Sequence, residues 1–190
     1  MKLVDDSYFQ SILNHYKNVW NADPKLHKWE PGPNDELPTS FRVAEFSPSD
    51  NKSMWTYATC NLSVTSDIEG IELHMFSEKK DPMLIELLTT VSYYHRNISK
   101  LNLNHTVNFG RPWQDSSLCT YGLISLPYLD GPILENLDIP ELNKNVKFLW
   151  LIPITLEECN YKKDHGIERL EQKFEEYNFN YLLPGRKSVV

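Results

Sequence analysis

The chain has 190 residues, 41% hydrophobic and 12% aromatic, enough apolar material for a core that buries roughly 70% of the unfolded surface, which excludes a disordered chain. Its 19 Lys and Arg against 26 Asp and Glu leave a net charge of -7, a field that repels phosphate backbones and argues against a nucleic-acid ligand. Cys60, Cys119 and Cys159 form no CxxC pair, no run reaches membrane-spanning length, and MKLVDDSYFQ lacks an apolar leader, so a cytoplasmic protein with reduced thiols is expected.

Residues 5–21 predict an N-terminal helix. Phe9, Ile12, Leu13, Tyr16, Val19 and Trp20 recur at helical spacing, Asp5 and Asp6 suit its positive end, and Pro24 stops it. Glu30–Ser40, rich in Pro, Asn and Asp, predicts a surface loop. Phe41–Phe46 is extended, and strands follow over Trp55–Leu62 and Ile71–Phe76, where the two faces alternate with period two, so both are expected to be half-buried. Asp67-Ile68-Glu69-Gly70 suits a hairpin connection between the last two.

Asp81 and Pro82 are a cap and a first helical residue. They open a second helix with Met83, Leu84, Leu87, Leu88, Val91, Tyr94 and Ile98 as its apolar stripe. His105–Phe109 predicts a short strand, Gly110–Trp113 a turn, Thr120–Tyr128 another strand, and Leu129–Leu142 a long loop. Val146–Ile152 is apolar on both faces and predicts a central strand whose ladder Pro153 ends. Thr155-x-x-Glu158 is a capping-box pattern, so a helix starts there; Gly166 bends or splits it, and Ile167, Leu170, Phe174 and Tyr177 continue its stripe. In the tail, Arg186 and Lys187 are expected on the surface. With no repeat and no Gly-Ser linker, residues 1–190 read as one domain: an α/β (α+β) fold with a central mixed, largely antiparallel sheet flanked by helices.

Chemistry has little to stand on. The six histidines show no HxH, HxxxH or HExxH spacing; a metal site would have to be assembled by folding, for example from His74, His95 and His105. GxSxG, GxxxxGK[ST] and GxGxxG are absent. Cys60, mid-strand, reads as a small buried hydrophobe. Trp55 and Trp150 lie in strands and read as core; Trp29 and Trp113 sit beside loop prolines and are candidate exposed anchors. No catalytic residue, cofactor site or metal site is assigned, so a binding protein is expected rather than an enzyme.

The order of these segments resembles the Suppressor of fused family, in its single-domain bacterial type, over about residues 41–190. The resemblance is carried by Trp55-Thr56-Tyr57-Ala58-Thr59, Ile71-Glu72-Leu73-His74-Met75-Phe76, the helix ending near Tyr93-Tyr94-His95, Asn104-His105-Thr106-Val107-Asn108-Phe109, Ser125-Leu126-Pro127, Phe148-Leu149-Trp150-Leu151-Ile152-Pro153-Ile154 and Gly166-Ile167-Glu168-Arg169-Leu170. It implies a Suppressor-of-fused-like domain without catalysis or cofactor. Animal members bind a transcription-factor peptide between two domains as an added strand; bacterial members look like antitoxins or immunity proteins that bind and neutralise a cognate toxin encoded nearby. The alternatives are a peptide-binding regulatory scaffold and an uncharacterised enzyme or metal protein.

By that resemblance Tyr93, Asn104 and His105 are partner-binding candidates, with Trp113 added as a loop anchor. Where the animal pattern has Asp before the His, Asn104 carries no charge, and the spacing from Tyr93 is one residue shorter. The acidic chain suits a basic, nuclease-like partner.

Overall fold

The computed structural model describes residues 2–30, 36–64 and 69–190, with side chains from residue 6 onward; Asp67 and Ile68 of the expected Asp67–Gly70 connection lie outside this set. Helix α1 (Lys2–Trp20) is followed by strands β1 (Lys25–His27), β2 (Arg42–Phe46), β3 (Trp55–Cys60) and β4 (Gly70–Ser77), then helix α2 (Met83–Asn97). Strands β5 (Thr106–Asn108) and β6 (Cys119–Ser125), helix α3 (Pro132–Glu135) and strands β7 (Asn136–Ile139) and β8 (Lys144–Thr155) come next, and helices α4 (Leu156–His165) and α5 (Ile167–Glu176) close the order. The sheet runs β1-β2-β3-β4-β8-β6-β5, with β7 on the lower half of β8. Its pairs are antiparallel except β4 with β8, so it is mixed and mostly antiparallel, as the sequence predicts.

Helices on both faces explain why β4 is buried along its whole length, and β3 in all but its first residue, rather than half-buried. Ile71, Leu73 and Met75 pack with Leu84, Leu87, Leu88 and Val91 of α2 in one apolar cluster. On the opposite face α1 lays Tyr8, Ile12, Tyr16 and Trp20 over Ala44, Phe46, Ala58 and Phe148. Beside it, α4 and α5 bring Cys159, Leu170 and Phe174 onto Phe76, Leu123, Trp150 and Ile152. At about 1.5–3 kcal/mol per fully buried large apolar side chain, these clusters hold the three layers together. The stripe of α2 is narrower than the sequence suggests: Met83 and Ile98, at its two ends, are exposed.

Several connections differ from the sequence-based expectation. Leu129–Leu142 is not a plain loop. It holds α3, β7 and a 3-10 turn, because four residues from Asn136 pair with Lys144–Lys147 where β6 has not yet joined β8. Pro153 does not end the ladder; it pairs opposite Gly122. Its carbonyl accepts from Arg186 Nη2 at 3.0 Å, so its nitrogen also faces away from β6, on the side where β4 pairing has stopped at Trp150, and the missing N–H costs no bond. Gly122 is needed for a close approach: a Cβ there would lie 2.5 Å from Leu151 Cδ1 and 2.6 Å from Phe109 Cζ.

The capping box of α4 is present, with Thr155 Oγ1 accepting from Glu158 N–H and the Glu158 carboxylate accepting from Thr155 N–H. Gly166, at φ +88°, separates α4 from α5 as expected. Arg186 is the opposite of a surface residue. It forks onto Glu158 at 2.6 and 2.7 Å, and Val189 N–H also donates to that carboxylate, folding the tail against the end of β8.

Candidate partner-binding edge

β5 has β6 as its strand partner and ends the sheet on one side. Val107 pairs with Gly122, Phe109 N–H donates to Thr120 O, and His105 O accepts from Ile124 N–H. Antiparallel alternation therefore turns the backbone N–H and C=O of Thr106 and Asn108 outward. The fold holds this edge from both ends. Asn104, in the left-handed region at φ +65°, donates its N–H to Ile124 O, and its carbonyl accepts from Lys162 Nζ of α4. Asn108 Oδ1 accepts from Gly110 N–H and starts the next turn. Partial burial lowers the Lys162 pKa. The arrangement offers directional main-chain hydrogen bonds on a rigid strand and no nucleophile–base pair, which suits an added strand.

The four predicted residues do not form one surface. His105 is exposed and Asn104 half-buried at the head of β5; Tyr93 is half-buried near the end of α2, packed against the α2 cluster. Trp113 corrects the expectation of an exposed anchor, being 1% exposed inside the same cluster. Its turn is clamped over the sheet, with Arg111 donating to Met83 O and Glu86 Oε2 and Gln114 donating to Ser77 Oγ and Asp81 Oδ2. Trp29 is half-buried against this cluster rather than standing free.

The three histidines considered as a metal set are not brought together. His74 lies under α1, its ring 5.9 Å from Trp20 and 5.3 Å from Phe76, and burial followed by the Lys52 charge pushes its pKa well down. His95 Nδ1 accepts from Leu101 N–H, and His105 is on the surface. Among the described residues no three His, Cys, Asp or Glu side chains group as metal ligands.

Sequence reasoning missed the polar seam between α1 and α5. Asp130 Oδ1 accepts from Trp20 Nε1 at 2.8 Å and Lys52 Nζ at 2.5 Å, and the Lys52 ammonium lies over the Trp20 and Phe76 rings. Desolvation lowers the Lys52 pKa against the pull of Asp130. The partners come from separate turns of the chain, and no local pattern signals the pair.

A mixed sheet wrapped by helices on both faces, with an open edge strand, defines a domain of the Suppressor-of-fused type. The chain belongs to that family: the family model described as Suppressor of fused protein (SUFU) matches residues 38–187. A crystal structure of a SUFU homologue from Neisseria gonorrhoeae is similar at 33% identity and a TM-score of 0.85, covering 97% of each chain. Two further structures share the fold at 14% identity. The Sufu–Fu complex has a TM-score of 0.70 over 96% of this chain and 92% of that one. Drosophila Suppressor of Fused has a TM-score of 0.69 over 96% of this chain and 51% of that protein. No curated protein matches the chain in sequence. No helix among the described residues is long and apolar enough to cross a membrane.

Proposed function

We propose that this chain works in the cytoplasm as a non-catalytic binding protein, and that its partner is a toxin it neutralises in the manner of an immunity protein. The observation that carries the reading is the open edge of β5 on a Suppressor-of-fused fold, where Thr106 and Asn108 present outward backbone groups. Strand addition there gives affinity through main-chain bonds, with His105 and Asn104 at the head of the strand and Tyr93 at the end of α2 as adjoining contacts. The net charge of -7 supports a basic partner, since complementary fields speed encounter. The bacterial type of the family supports the toxin assignment.

The test is co-expression with the product of the adjacent gene. Complex formation and rescue from toxicity are expected. Thr106→Pro, which removes an outward N–H without touching the β6 ladder and gives up the 3.7 Å contact of Thr106 Oγ1 with Cys159 Sγ, should weaken the complex at least tenfold. Thr106→Val, which gives up the same contact but keeps the N–H, should match its thermal melt and bind as wild type does. Absence of both complex and rescue defeats the toxin assignment, and full binding by Thr106→Pro defeats the edge. The solved Sufu–Fu complex favours a second reading, a regulatory scaffold, which capture of a non-toxic partner through the same edge would establish.

A further inference from the structure

Away from that edge, on the face covered by α5, lies a pocket of about 520 Å³ between β6, β8, α5 and the segment after α5. Its floor is aromatic and aliphatic. Trp150 and Tyr181 meet edge to face at 5.0 Å, Phe174 and Phe179 stack at 4.2 Å, and Ile152 fills between. The mouth has the opposite character, with Glu171 and Glu175 on its α5 rim and Tyr128, 60% exposed, across from them. Tyr128 Oη donates to Glu171 Oε1 at 3.3 Å. Burial, then Glu171, Glu135 and Glu175 raise the Tyr128 pKa; of these carboxylates Glu171 and Glu175 line the opening.

No Lys or Arg lines this pocket, and neither Glu171 nor Glu175 has a cationic partner among the described residues. The cations behind the wall are already neutralised, Lys52 by Asp130 and Arg186 by Glu158. The pocket thus combines an apolar floor, a negative mouth and the volume of a small-molecule site.

We infer that this pocket binds a small organic cation: an amine or guanidine whose apolar body rests on the aromatic floor and whose charged head meets Glu171 and Glu175. The carboxylates favour a cation at the mouth, while a neutral or anionic analogue of the same shape keeps only the floor contacts. The site is separate from the β5 edge and does not depend on the partner reading.

The test uses three isosteric probes, 4-phenylbutylammonium, 4-phenylbutanol and 4-phenylbutanoate, titrated into the full chain. The indole N–H cross-peak of Trp150 reports occupancy. The ammonium should bind about tenfold tighter than the alcohol, and the butanoate more weakly than either. In the double variant Glu171→Gln, Glu175→Gln the ammonium advantage should fall to about twofold or less, with the alcohol unchanged. Probes of equal affinity, no saturation in the millimolar range, or shifts gathered away from Trp150 would overturn the site. An acetylated Phe-Lys amide that binds tighter than the free ammonium would overturn the small-molecule assignment in favour of a protein side chain.

Discussion

Under α2 the sheet meets Leu84, Leu87, Leu88 and Val91, whereas on its other face β4 presents Glu72 and His74, and the Asp130–Lys52 pair from two connecting turns sits beside them. β4 shows the contrast within one strand, its odd residues joining an apolar cluster while Glu72 and His74 on the other side are fully buried polar groups. One face is a hydrophobic layer whose stability scales with area removed from water and is indifferent to pH. The other depends on buried charges, each of which is costly unless its partner stays in place. Coverage explains the difference. On the first face α2 and the Trp113 turn form a continuous apolar cover, while α1 and the α4–α5 pair leave a seam on the second, which charged side chains and the tail fill.

The strongest way to break this comparison is to remove a charge from the second face. Glu158→Ala strips the carboxylate that accepts from Arg186, Thr155 N–H and Val189 N–H, leaving a guanidinium 6% exposed without its counter-charge. The expected loss is about 3–5 kcal/mol, read from urea midpoints at constant slope. The double change Glu158→Leu with Arg186→Met should recover part of it, since the orphaned charge goes too. Leu88→Ala, fully buried under α2, should cost about 3 kcal/mol by transfer and cavity terms, equally at any pH between 5 and 8. A Leu88→Ala loss as pH-dependent as that of a buried acid would erase the distinction between the faces.

The same contrast governs what the sequence could reveal. Periodicity exposes faces, so α2, β3, β4 and the central β8 were legible, as were the Thr155–Glu158 box and the break at Gly166, while the family showed in the order of the segments rather than in any period. β1 and β7 are three and four residues long, too short for any period to show. Long-range charge pairs have no period at all. Arg186 looked like an exposed tail residue because Glu158, 28 positions earlier, was already spoken for as a helix cap. Trp113 looked free because it follows a proline in a turn, while the hydrogen bonds of Arg111 and Gln114 that pin the turn down come from distant segments. The β5 edge needed the register with β6, which the sequence does not carry.

Glu72 sharpens the comparison through pH. Burial pushes its carboxyl up to about 7 against the lowering effect of donors from Thr59, Leu62 and Ser63. An unfolded glutamate titrates near 4.3, so the folded chain holds the proton more tightly between those values. This contribution is complete below about pH 4 and is lost as pH rises through about 7, a change on the order of 3 kcal/mol. Glu72→Gln should flatten that slope, so the urea midpoints of wild type and variant should converge or cross between about pH 5 and about pH 7.5. Parallel pH profiles would remove Glu72 as the source.

The smallest expected effect belongs to the apolar face and tests its character most directly. Ser92 of α2 is fully buried and its Oγ has no hydrogen-bond partner among the described residues, unlike Thr89 one turn earlier, whose Oγ1 donates to Ile85 O at 2.7 Å. A buried hydroxyl that makes no bond has already lost its hydration, so deleting it removes a penalty rather than a contact. Alanine also forms helix more readily, by a few tenths of a kcal/mol, against which stands the small void left by one oxygen. Ser92→Ala should therefore leave stability within about 1 kcal/mol of wild type, on the stabilising side, while Thr89→Ala, which breaks a formed bond, should not gain. A clear loss in Ser92→Ala would show that this face also depends on a polar contact.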